Sequence, residues 1–313
     1  MTNYKILITD GLDETGQSIL RSLAEVDDKG GISADDLLKA IPEYDALIVR
    51  GRTKVTASVM DAGSRLKVIG RAGVGVDNID LGAAKSNNIA VVNAPTSTSL
   101  AVAELTFGLM LALAREIPRA DAGMKKDKWL KKELEGVEVN GKTLGVIGYG
   151  RIGVEVGKRA AAFGMKVIAY DPLIREDEIK RRGAEPVSLQ ELYAWSDFIS
   201  LHMPLTVDTR DMIGPMAISQ MKDGVRIVCA ARGGIIDEAA LVDALNSGKV
   251  AGAALDVFGQ EPPGLTETVS HPRVIATPHI GAQTVEAQSR ASEDIAHEVL
   301  SALRGETLRW RVA

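Results

Sequence analysis

Cysteine is almost missing from this chain of 313 residues. Cys229 stands alone, so no disulfide closes within the chain and no Cys-x-x-Cys metal pair exists. No metal site is expected. Long apolar runs are lacking too. The longest, Leu105 to Ala114, is interrupted by Thr106 and Gly108 and falls well short of the roughly 20 residues that a membrane span needs. The first residues lead straight into a strand pattern without a secretory h-region, which predicts a cytoplasmic protein that meets no membrane. There is no block of like charge, and a net charge of −5 gives no electrostatic reason to expect nucleic acid as a partner. Repeats of short period and low-complexity segments are also absent. A hydrophobic content of 45% is that of an ordinary globular chain, and the length suggests two domains.

What is present is alternation. Strand-like runs at Lys5–Thr9, Ala46–Arg50, Val68–Arg71 and Ile89–Asn93 are separated by helical stretches. Ser33-Ala34-Asp35-Asp36 reads as an N-cap with an acidic first turn, opening a helix that stops at Pro42, and Asp80 to Asn87 reads as another short helix. A second array has strands at Thr143–Ile147, Lys166–Tyr170, Phe198–Leu201, Arg226–Ala230, Gly252–Val257 and Val274–Ala276. The pattern predicts an α/β protein with two doubly wound parallel sheets. The helix near Leu100–Arg115 has too much apolar surface for one exposed face. A last helix over Val285 to Arg304, with Ile295, Val299 and Leu303 at helical spacing and Gly305 as its stop, is too long for a strand crossover. It is expected to return the chain to the N-terminal domain. The predicted division is 1–97 with 286–313 for a discontinuous, flavodoxin-like domain, and 98–285 for a Rossmann-like domain inserted into it.

Within the second array, Gly148-Tyr149-Gly150-Arg151-Ile152-Gly153 follows the apolar run Thr143–Ile147 and opens a helical pattern with Ile152, Val156, Ala160 and Phe163 on one face. The next run delivers Asp171 eighteen positions beyond Gly153. Gly148 makes the tight turn, Gly150 lets backbone approach a pyrophosphate, and Gly153 lets helix and strand pack closely. The carboxylate accepts hydrogen bonds from a ribose diol. The helix N-terminus contributes free N–H groups and a partial positive charge. The unit predicts dinucleotide binding. Asp171 would repel a 2′-phosphate, and Arg175 beyond Pro172 reads as a loop arginine, so NAD is favoured over NADP.

Open α/β sheets bind ligands beyond the carboxyl ends of their strands. Four polar segments fall there: Arg71 to Asp77, Ala231-Arg232-Gly233-Gly234, Asp256 with Glu261-Pro262, and Pro278-His279-Ile280-Gly281. Their residue types match hydride transfer at a 2-hydroxy or 2-oxo acid. His279 suits the general base, because an imidazole titrates near working pH. Glu261 would orient the ring and hold its imidazolium form, and Arg232 can grip a substrate carboxylate in a fork and polarise the carbonyl. Taken singly, each has an ordinary reading: a loop histidine, a surface ion-pair partner, a turn glutamate. Together on a nicotinamide-binding fold they point to catalysis. Of the other histidines, His297 lies inside the last helix, His271 precedes Pro272 in a loop, and His202 ends a strand beside the cofactor crevice.

At these residues the chain resembles the D-isomer-specific 2-hydroxyacid dehydrogenases, and within them the short D-3-phosphoglycerate dehydrogenases. The similarity runs over nearly the whole chain, through Arg50 to Thr56, Gly73 to Asn78, Val102 to Leu105, Asn140 to Gly145, the glycine motif, His202 to Thr206, Ala231 to Asp237, Leu255 to Phe258, Glu261-Pro262 and Thr277 to Gly281. The resemblance implies that Arg232, Glu261 and His279 are catalytic. It places the substrate against the backbone of Gly73 and Val74, with Arg50 and Arg52 at a phosphate and Thr98 nearby. Val76, Arg151, Ile152, Asp171, Pro172, His202, Pro204, Thr209, Ala230 and Asp256 would line the NAD site with the glycines. It also implies a homodimer through the coenzyme domain, with a Lys128-Trp129 arm reaching the partner. Thr98 and Cys229 both depart from the family pattern, each standing where asparagine is common. Cys229 reads as a small packing residue. The chain ends soon after its last helix, so no C-terminal regulatory domain and no serine feedback are expected.

The resemblance implies NAD-dependent oxidation of D-3-phosphoglycerate, the first step of serine biosynthesis. The alternatives are a reductase of glyoxylate, hydroxypyruvate or another 2-oxo acid, and a non-catalytic NAD(H)-sensing protein. Glu261 argues against a formate dehydrogenase of the same fold, whose reaction needs no acid–base pair.

Overall fold

The computed structural model describes residues 4–313. The chain divides into two compact units, one from the N-terminus to Ser99 together with Ala282–Ala313, the other Leu100–Gly281. In the first, β1 (Tyr4–Ile8), α1 (Glu14–Arg21), β2 (Ala24–Asp28), α2 (Ala34–Ala40), β3 (Ala46–Val49), α3 (Ala57–Ala62), β4 (Val68–Arg71), α4 (Leu81–Ser86) and β5 (Ala90–Asn93) alternate. The strands form a five-stranded parallel sheet in the order β2-β1-β3-β4-β5. Ala46–Val49 is buried on both faces, as a central parallel strand must be. The short helices are set by their caps: Ser33 accepts the Asp36 N–H and Asp80 the Ala83 N–H. Sequence pattern alone did not reveal β2. It carries Glu25, Asp27 and Asp28, yet an edge strand bonds on one side only and tolerates such charges.

The second unit opens with α5 (Ser99–Ala114) and α6 (Ile117–Met124). It continues through β6 (Thr143–Ile147), α7 (Arg151–Ala162), β7 (Lys166–Tyr170), α8 (Glu176–Arg181), β8 (Glu185–Pro186), α9 (Leu189–Trp195) and β9 (Phe198–Leu201). It closes with α10 (Pro215–Gln220), β10 (Val225–Cys229), α11 (Glu238–Ser247), β11 (Val250–Leu255), α12 (Glu267–Ser270) and β12 (Val274–Ala276). Seven parallel strands run in the order β12-β11-β10-β9-β6-β7-β8. Alternate strand residues face two separate cores, Ile147, Ile199 and Ile227 on one side and Val146, Phe198 and Val228 on the other. Ala103, Phe107, Met110 and Leu113 of α5 enter the second core, which accounts for a helix apolar around most of its circumference. The chain winds outward from β6 through β7 to β8, then restarts at β9 on the opposite side. The strand order therefore reverses between β6 and β9, the switch point at which such sheets bind ligands.

The final helix, α13 (Val285–Arg304), caps with Thr284 and stops at Gly305 in the left-handed region. It packs in the N-terminal unit, laying Ile295, Val299 and Leu303 into the same core as Ile6, Ile8 and Val68. The approach is close: a Cβ on Gly70 of β4 would stand 2.6 Å from Val299 Cγ2. The buried Glu298 carboxylate then accepts the Arg309 and Trp310 N–H groups, and the following residues bridge antiparallel to Val92 on β5.

Candidate active site

The three glycines after β6 meet three different demands. Gly148 has φ +87°, and a Cβ there would lie 2.5 Å from the His202 carbonyl oxygen. Gly153 faces inward, where a Cβ would stand 2.2 Å from the Gly148 oxygen and 3.1 Å from Val146 Cγ1. Gly150, the N-cap of α7, has nothing within 4 Å of its Cβ position and makes no side-chain cap bond. Backbone N–H groups at the start of α7 are therefore open to an incoming anion. Asp171 ends β7, where its carboxylate accepts the Tyr149 N–H at 2.8 Å and the Leu173 N–H at 2.9 Å. That ties the glycine turn to the acid while leaving lone pairs for a diol. Arg175 pairs with Asp177 on the exposed start of α8. His202 follows β9, its Nε2 2.7 Å from Ser200 Oγ, and burial drives its pKa down to about 3. Its buried Nδ1 has no partner among the described residues. Thr209 Oγ1 donates to the Pro204 carbonyl and closes the next loop. Open backbone donors, a strand-end acid and an unpaired buried nitrogen at the switch point fit a dinucleotide with an unphosphorylated ribose.

Arg232, Glu261 and His279 follow β10, β11 and β12, three neighbouring parallel strands. The fold joins the last two: His279 Nδ1 lies 2.7 Å from Glu261 Oε2, while Glu261 Oε1 accepts the Phe258 N–H at 3.1 Å. The hydrogen bond to Glu261 raises the His279 pKa above the ordinary imidazole value, against burial and the Arg232 charge. Burial alone would raise Glu261, but the His279 hydrogen bond and charge, the Phe258 N–H and the Arg232 charge together hold it below the usual carboxylate range. Arg232 Nη1 donates to the Ala231 carbonyl at 2.7 Å. Ala230 and Cys229 are buried beneath this turn, and burial pushes the thiol up to about 11.

His279 itself has φ +53°, a left-handed conformation that costs a non-glycine residue about 1–2 kcal/mol. The buried Asp256 carboxylate offsets that cost. It accepts Thr277 Oγ1 at 2.6 Å, the Ile280 N–H at 2.9 Å and the Gly281 N–H at 2.8 Å, gripping the turn on both sides of the histidine.

In the N-terminal unit, Arg50 and Arg52 do not share partners. The Arg50–Thr53 loop wraps the Asp10 carboxylate, which accepts the Arg50 N–H at 2.8 Å, the Thr53 N–H at 3.1 Å and Thr53 Oγ1 at 2.5 Å. Arg52 is committed to this hub, with Nη2 3.2 Å from Asp10 Oδ1 and 2.7 Å from the Thr9 carbonyl. Arg50 instead reaches Gln283 Oε1 at 3.2 Å. Gly73 has φ +149°, and its Cβ position lies 1.6 Å from an Arg71 guanidinium nitrogen, so that arginine folds over the loop carrying Val74 and Val76. Thr98 is buried at the entry to α5. Asp10, an isolated loop acid, escapes the sequence reading, whereas Arg71 stands in it only as the first residue of a polar segment after its strand. Among the described residues no group of three or more His, Cys, Asp or Glu could hold a metal ion, and no helix is long and apolar enough to cross a membrane.

Comparison with known proteins adds the following. The family described as D-isomer specific 2-hydroxyacid dehydrogenase, NAD binding domain, matches residues 107–281. The chain is 51% identical over 303 residues to a D-3-phosphoglycerate dehydrogenase of Methanocaldococcus jannaschii, covering 96% of this chain and 58% of that protein. It is 49% identical over 307 residues to a hydroxypyruvate reductase of Thermotoga maritima, covering 97% of this chain and 99% of that one. A crystal structure of D-lactate dehydrogenase from Aquifex aeolicus complexed with NAD and lactic acid superposes with a TM-score of 0.83 at 34% identity, covering 96% of each chain. The chain thus spans little more than half the length of the curated phosphoglycerate dehydrogenases it matches.

Proposed function

The chain belongs to the D-isomer-specific 2-hydroxyacid dehydrogenases, with residues 107–281 as that family's NAD-binding domain, and we propose that it oxidises D-3-phosphoglycerate to 3-phosphohydroxypyruvate in serine biosynthesis. The observation that carries the acid–base reading is the 2.7 Å contact between His279 Nδ1 and Glu261 Oε2 beside Arg232. Because Glu261 is the acceptor, Nδ1 keeps a proton, and Nε2 is the nitrogen that exchanges one. In oxidation Nε2 takes the proton of the C2 hydroxyl; in reduction it returns that proton to the ketone oxygen. Arg232 binds the substrate carboxylate and stabilises charge on the C2 oxygen. Asp256 keeps His279 in its strained turn, so the ring is aimed before substrate arrives. NAD, held by the glycine turn, the N-terminus of α7 and Asp171, with Pro172, His202, Pro204, Thr209, Ala230, Asp256 and Val76 as further contacts, supplies the hydride acceptor. Arg50, Arg52, Gly73, Val74 and Thr98 are the substrate contacts of the N-terminal unit, Arg50 and Arg52 serving the phosphate.

A general hydroxypyruvate or glyoxylate reductase is the second reading. It is favoured by the engagement of Arg52 with Asp10 and by the end-to-end match to the Thermotoga reductase. The protein is proposed to be a cytoplasmic homodimer, the 76% exposed Trp129 being the anchor offered to a partner copy.

The deciding experiment compares NADH oxidation with 3-phosphohydroxypyruvate, hydroxypyruvate and glyoxylate. A preference in kcat/KM of about a hundredfold or more for the phosphorylated acid, ~3 kcal/mol of differential transition-state binding, supports the first reading. An equal or reversed preference supports the second. Tight NADH binding without turnover on any 2-oxo acid would refute both and leave a nucleotide sensor.

A further inference from the structure

We propose that Glu238, at the start of α11, is a positioning residue for the acid–base pair: it holds the Phe258–Glu261 turn in the register that keeps the Glu261 carboxylate on His279. The proposal rests on the dehydrogenase reading above, in which that pair moves the proton.

Glu238 is the first residue of α11, where an acid ordinarily only complements the helix dipole. Here the cap is already supplied, since Asp237 Oδ1 accepts both the Ala239 and Ala240 N–H groups at 3.1 Å. The Glu238 carboxylate turns elsewhere, and its Oε1 accepts the Gly259 N–H at 2.8 Å. Gly259 adjoins Phe258, whose own N–H donates to Glu261 Oε1. The turn is therefore fixed from three directions. The Phe258 ring is buried in the core shared with Leu255 and Val257. The Gly233 α-carbon lies so close to the Phe258 carbonyl that a Cβ there would stand 1.7 Å from the oxygen. Glu238 holds the Gly259 N–H.

One stretch of chain, Arg232 to Glu238, thus begins with the arginine assigned to the substrate and ends with the anchor of the turn that carries Glu261. The cavity between Arg232 and Glu238 has a volume of about 10 Å³, room for a single water at most. The charges that act on His279 are those of Glu261, Asp256 and Arg232. Glu238 works through the position of the turn, not through its own field.

The test uses the full chain with NAD bound and 15N-labelled histidine. The protein has four histidines, of which burial holds His202 neutral. In Glu238→Ala the His279 titration midpoint falls toward that of an ordinary imidazole. The reductive kcat falls about tenfold, less than the hundredfold that a 1 Å misplacement can cost, and NADH affinity by fluorescence is unchanged. Glu238→Gln, whose amide oxygen still accepts the Gly259 N–H, restores both. An unmoved His279 titration in Glu238→Ala, or equal shifts in the two variants, overturns the proposal. The resonance measurement does not depend on knowing the substrate. Wild-type turnover in His279→Ala would instead sink the dehydrogenase mechanism while leaving the positional result standing.

Discussion

Gly150→Ala and Gly153→Ala, three residues apart in one turn, should both weaken NADH binding but differ in their effect on stability. At Gly153 the added methyl would stand 2.2 Å from the Gly148 oxygen and 3.1 Å from Val146 Cγ1. Ordinary contact requires about 1 Å more, so α7 must lift away from β6. Overpacking of that kind costs about 1–3 kcal/mol, or roughly 2–12 °C in Tm for a unit of this size. The lifted helix also withdraws N–H donors from the pyrophosphate site. Losing one hydrogen bond to a charged group costs about 1.5–3 kcal/mol, a weakening of NADH binding by roughly 10- to 150-fold. At Gly150 the backbone has φ −74° and ψ −155°, open to any residue, and no atom lies within 4 Å of the new methyl. Stability should hold, or rise by up to about 1 kcal/mol through a stiffer unfolded chain. NADH binding should nevertheless weaken at least tenfold, because the methyl stands where the pyrophosphate must come. Thermal unfolding and NADH fluorescence titrations on both variants decide the matter. Wild-type affinity in Gly150→Ala would refute the phosphate-binding role of the turn, and an unchanged Tm in Gly153→Ala would refute the packing argument.

His279→Ala should remove nearly all turnover and leave NADH affinity close to wild type, a split that stopped-flow and equilibrium binding resolve. The reductive kcat/KM, which needs the imidazolium, should be level at low pH and fall as pH rises through the raised His279 pKa, above the ordinary value of 6.5; Glu261→Gln should move that fall to lower pH. Arg50→Ala should raise KM for 3-phosphohydroxypyruvate about tenfold or more while sparing glyoxylate. Arg52→Ala should raise the same KM and also cost stability, about 1 kcal/mol by denaturant unfolding, because the half-exposed guanidinium braces Asp10 as well. Cys229, buried with its thiol raised to about 11, should stay unlabelled by a thiol reagent in the native protein and react once per chain after unfolding.

The parts of this molecule that were legible in its sequence are those whose causes are local. The glycine turn is readable because its three glycines and Asp171 fall within one β-α-β unit, although Gly148 also answers to the His202 carbonyl after β9, and the caps at Ser33 and Asp80 because the donor lies three residues away. The last helix could be assigned to the N-terminal domain from its length and apolar stripe alone. By contrast, β2 exists only because β1 offers it an edge, and nothing in Ala24–Asp28 announces a strand. Asp10 is equally silent, since the loop that encloses its carboxylate arrives forty residues later.

The same distinction separates the residues proposed to carry chemistry from those proposed to hold them in place. Arg232, Glu261 and His279 could be picked out because each follows a strand and each is a residue type with an obvious use. Their meeting is a property of strand order: β10, β11 and β12 lie side by side, so three loops far apart in sequence open onto one end of the sheet. Their supports have no such mark. Asp256 reads only as a cofactor contact, and Glu238 resembles a routine helix-start acid; their support roles emerge once the donors they accept are located, on Ile280, Gly281 and Gly259. Both act on backbone N–H groups, which every residue possesses, so no side-chain pattern in the sequence could reveal the partner. A substitution at Glu238 should therefore spare NADH binding more than it spares the alignment of His279 with Glu261, whereas substitutions in the glycine turn should do the reverse.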